Sequence, residues 1–161
     1  MAIKGKNRGM SLVGLLIAVA LIVGTLVALV SVINFSLSYS LTRKQAAQAL
    51  SLAQQAIEGV RNFRDNTDWS INGLGTLALG SPYYLTESGL PPVWTLVPGQ
   101  KTEQGFTQGI TFYQAERDAN HNLVEGGGTA DAGTRKVKVE ISWQEKGKDR
   151  RIEISSYLTN W

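Results

Sequence analysis

The chain has 161 residues, enough for one globular domain with an appendage. It holds no cysteine and a single histidine, which excludes disulfide scaffolds, thiolate zinc sites, cysteine nucleophiles and His-rich metal centres. Lys and Arg total 16 against 13 Asp and Glu, a net charge of +3 and a pI near 9.3. Whether that basicity points to nucleic acid depends on where the excess charge sits.

Taken in chain order, three bases come first: Lys4, Lys6 and Arg8, with no acid among them. From Met10 to Thr42 there is then no charged residue, and Arg43 and Lys44 are the next charges. The core of this stretch, Met10 to Ile33, is mostly Leu, Val, Ile and Ala. As a helix it spans about 36 Å, more than the roughly 30 Å of a bilayer's hydrocarbon core. It is therefore expected to cross a membrane. The leading bases put the N-terminus in the cytoplasm and the body outside, with Arg43 and Lys44 opposing weakly. A cleavable signal peptide is the first alternative. Its apolar region runs only about 7–15 residues and ends in an A-x-A-like site. Here the run is longer, and Ser36-Leu37-Ser38-Tyr39-Ser40 follows it. A buried core helix seldom stays uncharged for so long.

Gly9-Met10-Ser11-Leu12-Val13-Gly14-Leu15-Leu16-Ile17 carries a more specific pattern. A short basic leader ends in glycine and the apolar run begins at once. This resembles the N-terminal segment of type IV prepilins and type II secretion pseudopilins. The resemblance implies that a membrane-embedded prepilin peptidase cuts after Gly9 and that Met10 becomes the N-methylated first residue. Ser11-Leu12 matches the usual hydroxyl and aliphatic pair, and Leu15-Leu16-Ile17 the aliphatic run. Gly14 departs from the family, which carries a glutamate there. That carboxylate sits in the membrane and pairs with the N-terminal amine of a neighbouring subunit. An unpaired carboxylate in hydrocarbon costs several kcal/mol, which favours docking. Its replacement by Gly14 puts methylation and a shaft position in question, and fits a minor subunit at a filament tip.

Past Thr42 the sequence turns amphipathic. Ala46, Leu50, Ala53, Ile57 and Val60 recur at spacings of three and four, with Gln45, Gln48, Gln54, Glu58 and Arg61 largely between them. Breakers first cluster at Asp65-Asn66-Thr67-Asp68. One helix over 10–64, about 80 Å long, is expected, with 10–33 in the membrane. Gly14, Gly24 and Gly59 weaken it by about 1 kcal/mol each relative to Ala where exposed. Glu58, Arg61, Arg64 and Asp65 read as its solvated end.

Residues 65–104 read as a variable loop region rich in Gly, Pro, Ser, Thr and aromatics, with short strands at Thr76–Leu79, Tyr83–Thr86 and Val93–Val97. Residues 105–161 read as an antiparallel sheet. Gly109–Glu116 is its first strand. Arg135–Gln144 alternates strictly, with Val137, Val139, Ile141 and Trp143 on one face and Lys136, Lys138, Glu140 and Ser142 on the other. Arg150–Leu158 follows with Ile152 and Ile154 inward, joined to it through the loop Glu145–Asp149. The apolar face of about four strands needs a cover, and the stripe on the helix supplies one. The fold class is α+β: a long N-terminal helix on a small antiparallel sheet, the pilin layout. Trp161 is expected to pack at the end of the last strand.

Asp118, Asn120 and Asn122 stand at alternate positions, as oxygen ligands do in a calcium loop. Leu123 and Thr129, however, occupy the places where an EF-hand needs glycine and glutamate. The alternative is a polar turn, with Gly126-Gly127-Gly128 adding slack. Some pseudopilins bind calcium in a loop between strands, so calcium is the one cofactor the resemblance admits. His121, the only imidazole, lies in the same loop, where a Ser-His-Asp arrangement would arise only by accident. Gly126–Gly128 lacks the Lys-Ser/Thr of a phosphate loop. No catalytic residue is expected, and assembly is the expected activity.

The implied partners are the membrane, the prepilin peptidase, other pilin or pseudopilin subunits, and, by resemblance, an assembly platform and its ATPase. The implied location is the inner membrane, then a periplasmic or surface filament. The alternative is a single-span anchored extracytoplasmic binding domain that never polymerises. Tyr83, Tyr84, Trp94 and Trp69 are candidates either for contacts with neighbours or for the core. The charge question then closes. Lys4, Lys6 and Arg8 all lie in the leader, and 16 less these three leaves 13 bases against 13 acids. Nucleic-acid binding by the mature body gains no support.

Overall fold

The computed structural model describes residues 12–90 and 92–160. Gly9, Met10 and the rest of the expected leader, and Trp161, lie outside them. One helix, α1 (Leu12–Asp65), is followed by a single 3-10 turn (Leu74–Thr76) and seven strands. These are β1 (Pro82–Ser88), β2 (Val93–Pro98), β3 (Lys101–Glu103), β4 (Phe106–Arg117), β5 (Leu123–Val124), β6 (Thr129–Glu145) and β7 (Lys148–Thr159). The chain divides into two compact units between Arg43 and Lys44.

In the first unit α1 is apolar on every side and none of its apolar window is buried. Its hydroxyls turn back onto the helix. Thr25 Oγ1 donates to the Ile22 carbonyl at 2.8 Å and Ser31 Oγ to the Val27 carbonyl at 2.9 Å. Such self-satisfied hydroxyls lower the cost of taking them out of water.

In the second unit, all strands share one antiparallel sheet of order β2-β1-β4-β6-β7, with β3 and β5 paired to the two ends of β4. The helical residues 49, 53, 56, 57, 60 and 63 cover its inner face. Val137, Val139 and Ile141 of β6, with Ile110 and Phe112 of β4, are fully buried beneath them. Each such side chain contributes about 1.5–3 kcal/mol of transfer free energy. The strict alternation expected of Arg135–Gln144 is borne out, and Trp143 is half-buried against Phe106, ring centroids 5.9 Å apart. On the outer face Lys138 pairs with Glu153 across β7 at 3.0 Å.

Some expectations need correction. The helical stripe holds at Ala53, Ile57 and Val60, but Leu50 is 44% exposed, while Ala49, Ala56 and Phe63 are buried. Small alanines let the helix approach the sheet closely, and Gly59 goes further. A Cβ there would lie 2.6 Å from Leu85 Cδ1. In the region 65–104 the strands expected at Tyr83–Thr86 and Val93–Val97 lie within β1 and β2, and these, with β3, join the sheet. Its β-branched and aromatic runs pair, and Pro82 and Pro98 stand at strand ends where a missing N–H is tolerated. Thr76–Leu79 is not a strand. A 3-10 turn ends at Thr76. Tyr83 then reaches back to this segment, its hydroxyl accepting from the Ala78 N–H at 3.0 Å. Finally, residues 105–161 supply four strands, β4 to β7, as expected, and β1, β2 and β3 bring the sheet to seven.

Candidate functional site

Two features of the second unit carry concentrated polar chemistry. The first is a bulge in β6. Gln114 of β4 faces Arg135, yet the next residue, Ala115, faces Asp131, so residues 132–134 are looped out. Asp131 caps the loop. Its Oδ1 accepts from the Gly133 N–H at 2.9 Å and its Oδ2 from Thr134 Oγ1 at 2.7 Å. Arg117 Nε adds a charged bond to Asp131 Oδ2 at 2.6 Å. The bond from Arg117, then that from Thr134, holds the Asp131 carboxyl below the ordinary carboxylate range.

The bulge gathers distant segments. The Asn160 N–H donates to the Gly133 carbonyl and Trp69 Nε1 to the Ala132 carbonyl. Arg135, only 7% exposed, sends Nη2 to the Gly75 carbonyl at 3.2 Å and Nη1 to Gln114 Oε1 at 3.2 Å. Its guanidinium lies 5.8 Å from the Trp69 ring centroid. Gly75 must be glycine for this closeness: a Cβ would sit 2.5 Å from the Trp69 carbonyl oxygen. The cluster therefore clasps the segment after α1 and the chain's last strand to β6.

The second feature is the loop Asp118–Asn122, joining β4 to β5. Asp118 Oδ1 accepts from the N–H groups of Asn120 (2.8 Å) and Asn122 (2.9 Å), and Oδ2 from Asn122 Nδ2 (3.2 Å). The Asn122 backbone bond, then its side-chain amide, lowers the Asp118 pKa. His121 is exposed with φ 65°, in the left-handed region. Arg117 Nη1 donates to the His121 carbonyl at 2.8 Å. The three residues suggested for calcium are thus brought together in one loop, which the Asp118 carboxylate caps. Among the described residues no group of three or more His, Cys, Asp or Glu could hold a metal ion.

The aromatics divide. Tyr83 is core, edge-on to Phe112 at 5.7 Å. Trp69 belongs to the clasp. Trp94 is half-buried, within 3.5 Å of a Cβ built at Gly59. It lines an open cavity of about 420 Å³ with Leu52, Leu85 and Phe106, whose polar lining is glutamines and the Lys101–Glu103 ion pair.

The third feature is α1 itself, the one described helix long and apolar enough to cross a membrane. Gly14 lies in its first turns, and neither Gly14 nor Gly24 has a neighbour within 4 Å of a built Cβ. Sequence reading missed a ladder near the end of this stretch. Phe35 and Tyr39 stack with centroids 6.4 Å apart, and Arg43 lies 4.3 Å over the Tyr39 ring. Their i, i+4, i+8 spacing was the available signal.

No protein-family model matches the chain, and no curated protein and no solved structure matches it. The class that stands is an α+β protein with one long apolar N-terminal helix and an antiparallel sheet.

Proposed function

We propose that this chain is a minor pilin or pseudopilin, processed after Gly9 and assembled through its apolar helix into a type IV pilus-like or type II secretion filament. The carrying observation is α1, continuous over Leu12–Asp65, bare and apolar at first and packed on an antiparallel sheet later. A helix apolar all round has no stable place in water. Lipid, and afterwards other subunits' helices, would give it one. The basic leader and Gly9-Met10 junction support the same reading, with Met10 as the N-terminus to be methylated. In this reading the function is assembly, and the partners are the prepilin peptidase, sister subunits, the platform and its ATPase.

Gly14 favours the second reading, an anchored domain that never polymerises, because no carboxylate is there to recruit a neighbour's amine. Intact-mass measurement on membrane-extracted protein separates the two. In a host with active prepilin peptidase the filament reading expects a chain beginning at Met10. A chain that keeps residues 1–9 in that host, as in a peptidase-deficient one, overturns it.

A further inference from the structure

We propose that Phe35, Tyr39 and Arg43 form the bilayer-surface anchor of this chain, with the Arg43 guanidinium, held over the Tyr39 ring, binding a lipid phosphate. The proposal rests on the membrane-anchored part of the function above, and not on filament formation.

The mostly apolar run ends at Ile33. From Asn34 to Thr42 polar residues (Asn34, Ser36, Ser38, Ser40, Thr42) alternate with Phe35, Leu37, Tyr39 and Leu41. That mixture suits the interface rather than the hydrocarbon core, and Tyr is enriched at that level. Leu12 to Ile33 measures about 33 Å as a helix, matching a core of about 30 Å with slight tilt. Phe35 is 74% and Tyr39 52% exposed among the described residues.

Arg43 decides the partner. Helical side chains lean toward the N-terminus, which here is the membrane side. Arg43 follows that lean: Nη2 donates to the Tyr39 hydroxyl at 2.6 Å and the guanidinium carbon lies 4.3 Å from the centroid of its ring. The charge is thereby carried one turn back along an apolar face. Among the described residues no carboxylate pairs with Arg43 or with Lys44 beside it. A planar guanidinium matches a phosphate with two hydrogen bonds.

The test uses the full chain in phosphatidylcholine–phosphatidylglycerol vesicles. Its lack of cysteine lets single spin labels be placed at positions 34–47 other than 35, 39 and 43. Collision with oxygen and with a water-soluble relaxant is expected to cross over between positions 36 and 42. Solid-state NMR is expected to show dephasing of labelled Arg43 Cζ by lipid phosphorus, with none at Arg61. Tyr39→Ala should weaken that dephasing and move the crossover by about one helical turn. A crossover anywhere but between positions 36 and 42, or no Arg43–phosphorus dephasing, overturns the proposal. Dephasing of Arg43 by a labelled carboxylate of a second copy also overturns it, in favour of a subunit contact. Leader processing is read separately by mass, so either idea can fail alone.

Discussion

Arg135 shows how one side chain can fasten three parts of a fold. It is buried, and its bonds go to Gly75, Gln114 and the bulge rather than to an acid. Removing a partner from buried carbonyls leaves them unpaired, at about 1–3 kcal/mol, and truncation adds a cavity. Arg135→Ala should cost about 2–4 kcal/mol in urea unfolding, and Arg135→Met, which keeps most of the volume, less. Asp131 should govern part of the acid limb. Its folded pKa is lowered, so its pairing stabilises the fold above the unfolded carboxylate value near about pH 4 and is lost as pH falls through the folded value. Asp131→Asn should be less stable at neutral pH and show a shallower loss as pH falls below about 4. An unchanged acid limb, followed by circular dichroism, would show that Arg117 does not depend on this carboxylate. Neither role was legible in the sequence, because residues 117, 131 and 135 meet only through the bulge.

At the scale of elements, periodicity was readable and phase largely so. The spacing of α1 placed Ala53, Ile57 and Val60 in the core, yet Leu50 outranks Ala49 in hydrophobicity while the fold buries Ala49. Close helix–sheet approach favours the smaller side chain, and that depends on the partner surface. The β6–β7 hairpin was legible to within two residues: its turn is Lys146-Gly147, flanked by the pair Glu145 and Lys148. Both turn residues have positive φ, 51° and 76°, as a type I′ turn requires. Lys146→Asn should therefore raise the urea midpoint by about 0.5 kcal/mol equivalent. Gly147→Ala should lower it by about 1 kcal/mol, with the unfolding slope unchanged in both. The strands β1 and β2 were partly visible, but their membership of the sheet was not, since pairing with β4 is non-local.

For the whole molecule, the division at Arg43 and Lys44 separates two solvent preferences. The core of the sheet unit draws its helical residues only from position 49 onward. A fragment beginning at Lys44 should therefore fold and remain monomeric without detergent, as judged by near-UV circular dichroism and gel filtration. The full chain should require detergent or lipid. Titrated with millimolar calcium, the same fragment should release no heat, because Asp118 is occupied by its own loop and Arg117 holds the His121 carbonyl. A saturable heat with one site would restore the calcium reading of Asp118, Asn120 and Asn122.

The +3 charge with which the reading began resolves into three bases ahead of Met10. The sequence by itself determined the charge-free helix, its entry into an amphipathic half, and the alternating strands near the C-terminus. Those features follow from local periodicity and from the incompatibility of charge with hydrocarbon. Only the tertiary structure decided that Ala49 rather than Leu50 faces the sheet, that β1 and β2 join that sheet, and that Arg117 and Arg135 organise the β6 bulge. Each of these depends on groups far apart in sequence meeting at hydrogen-bond distance, which no local pattern encodes.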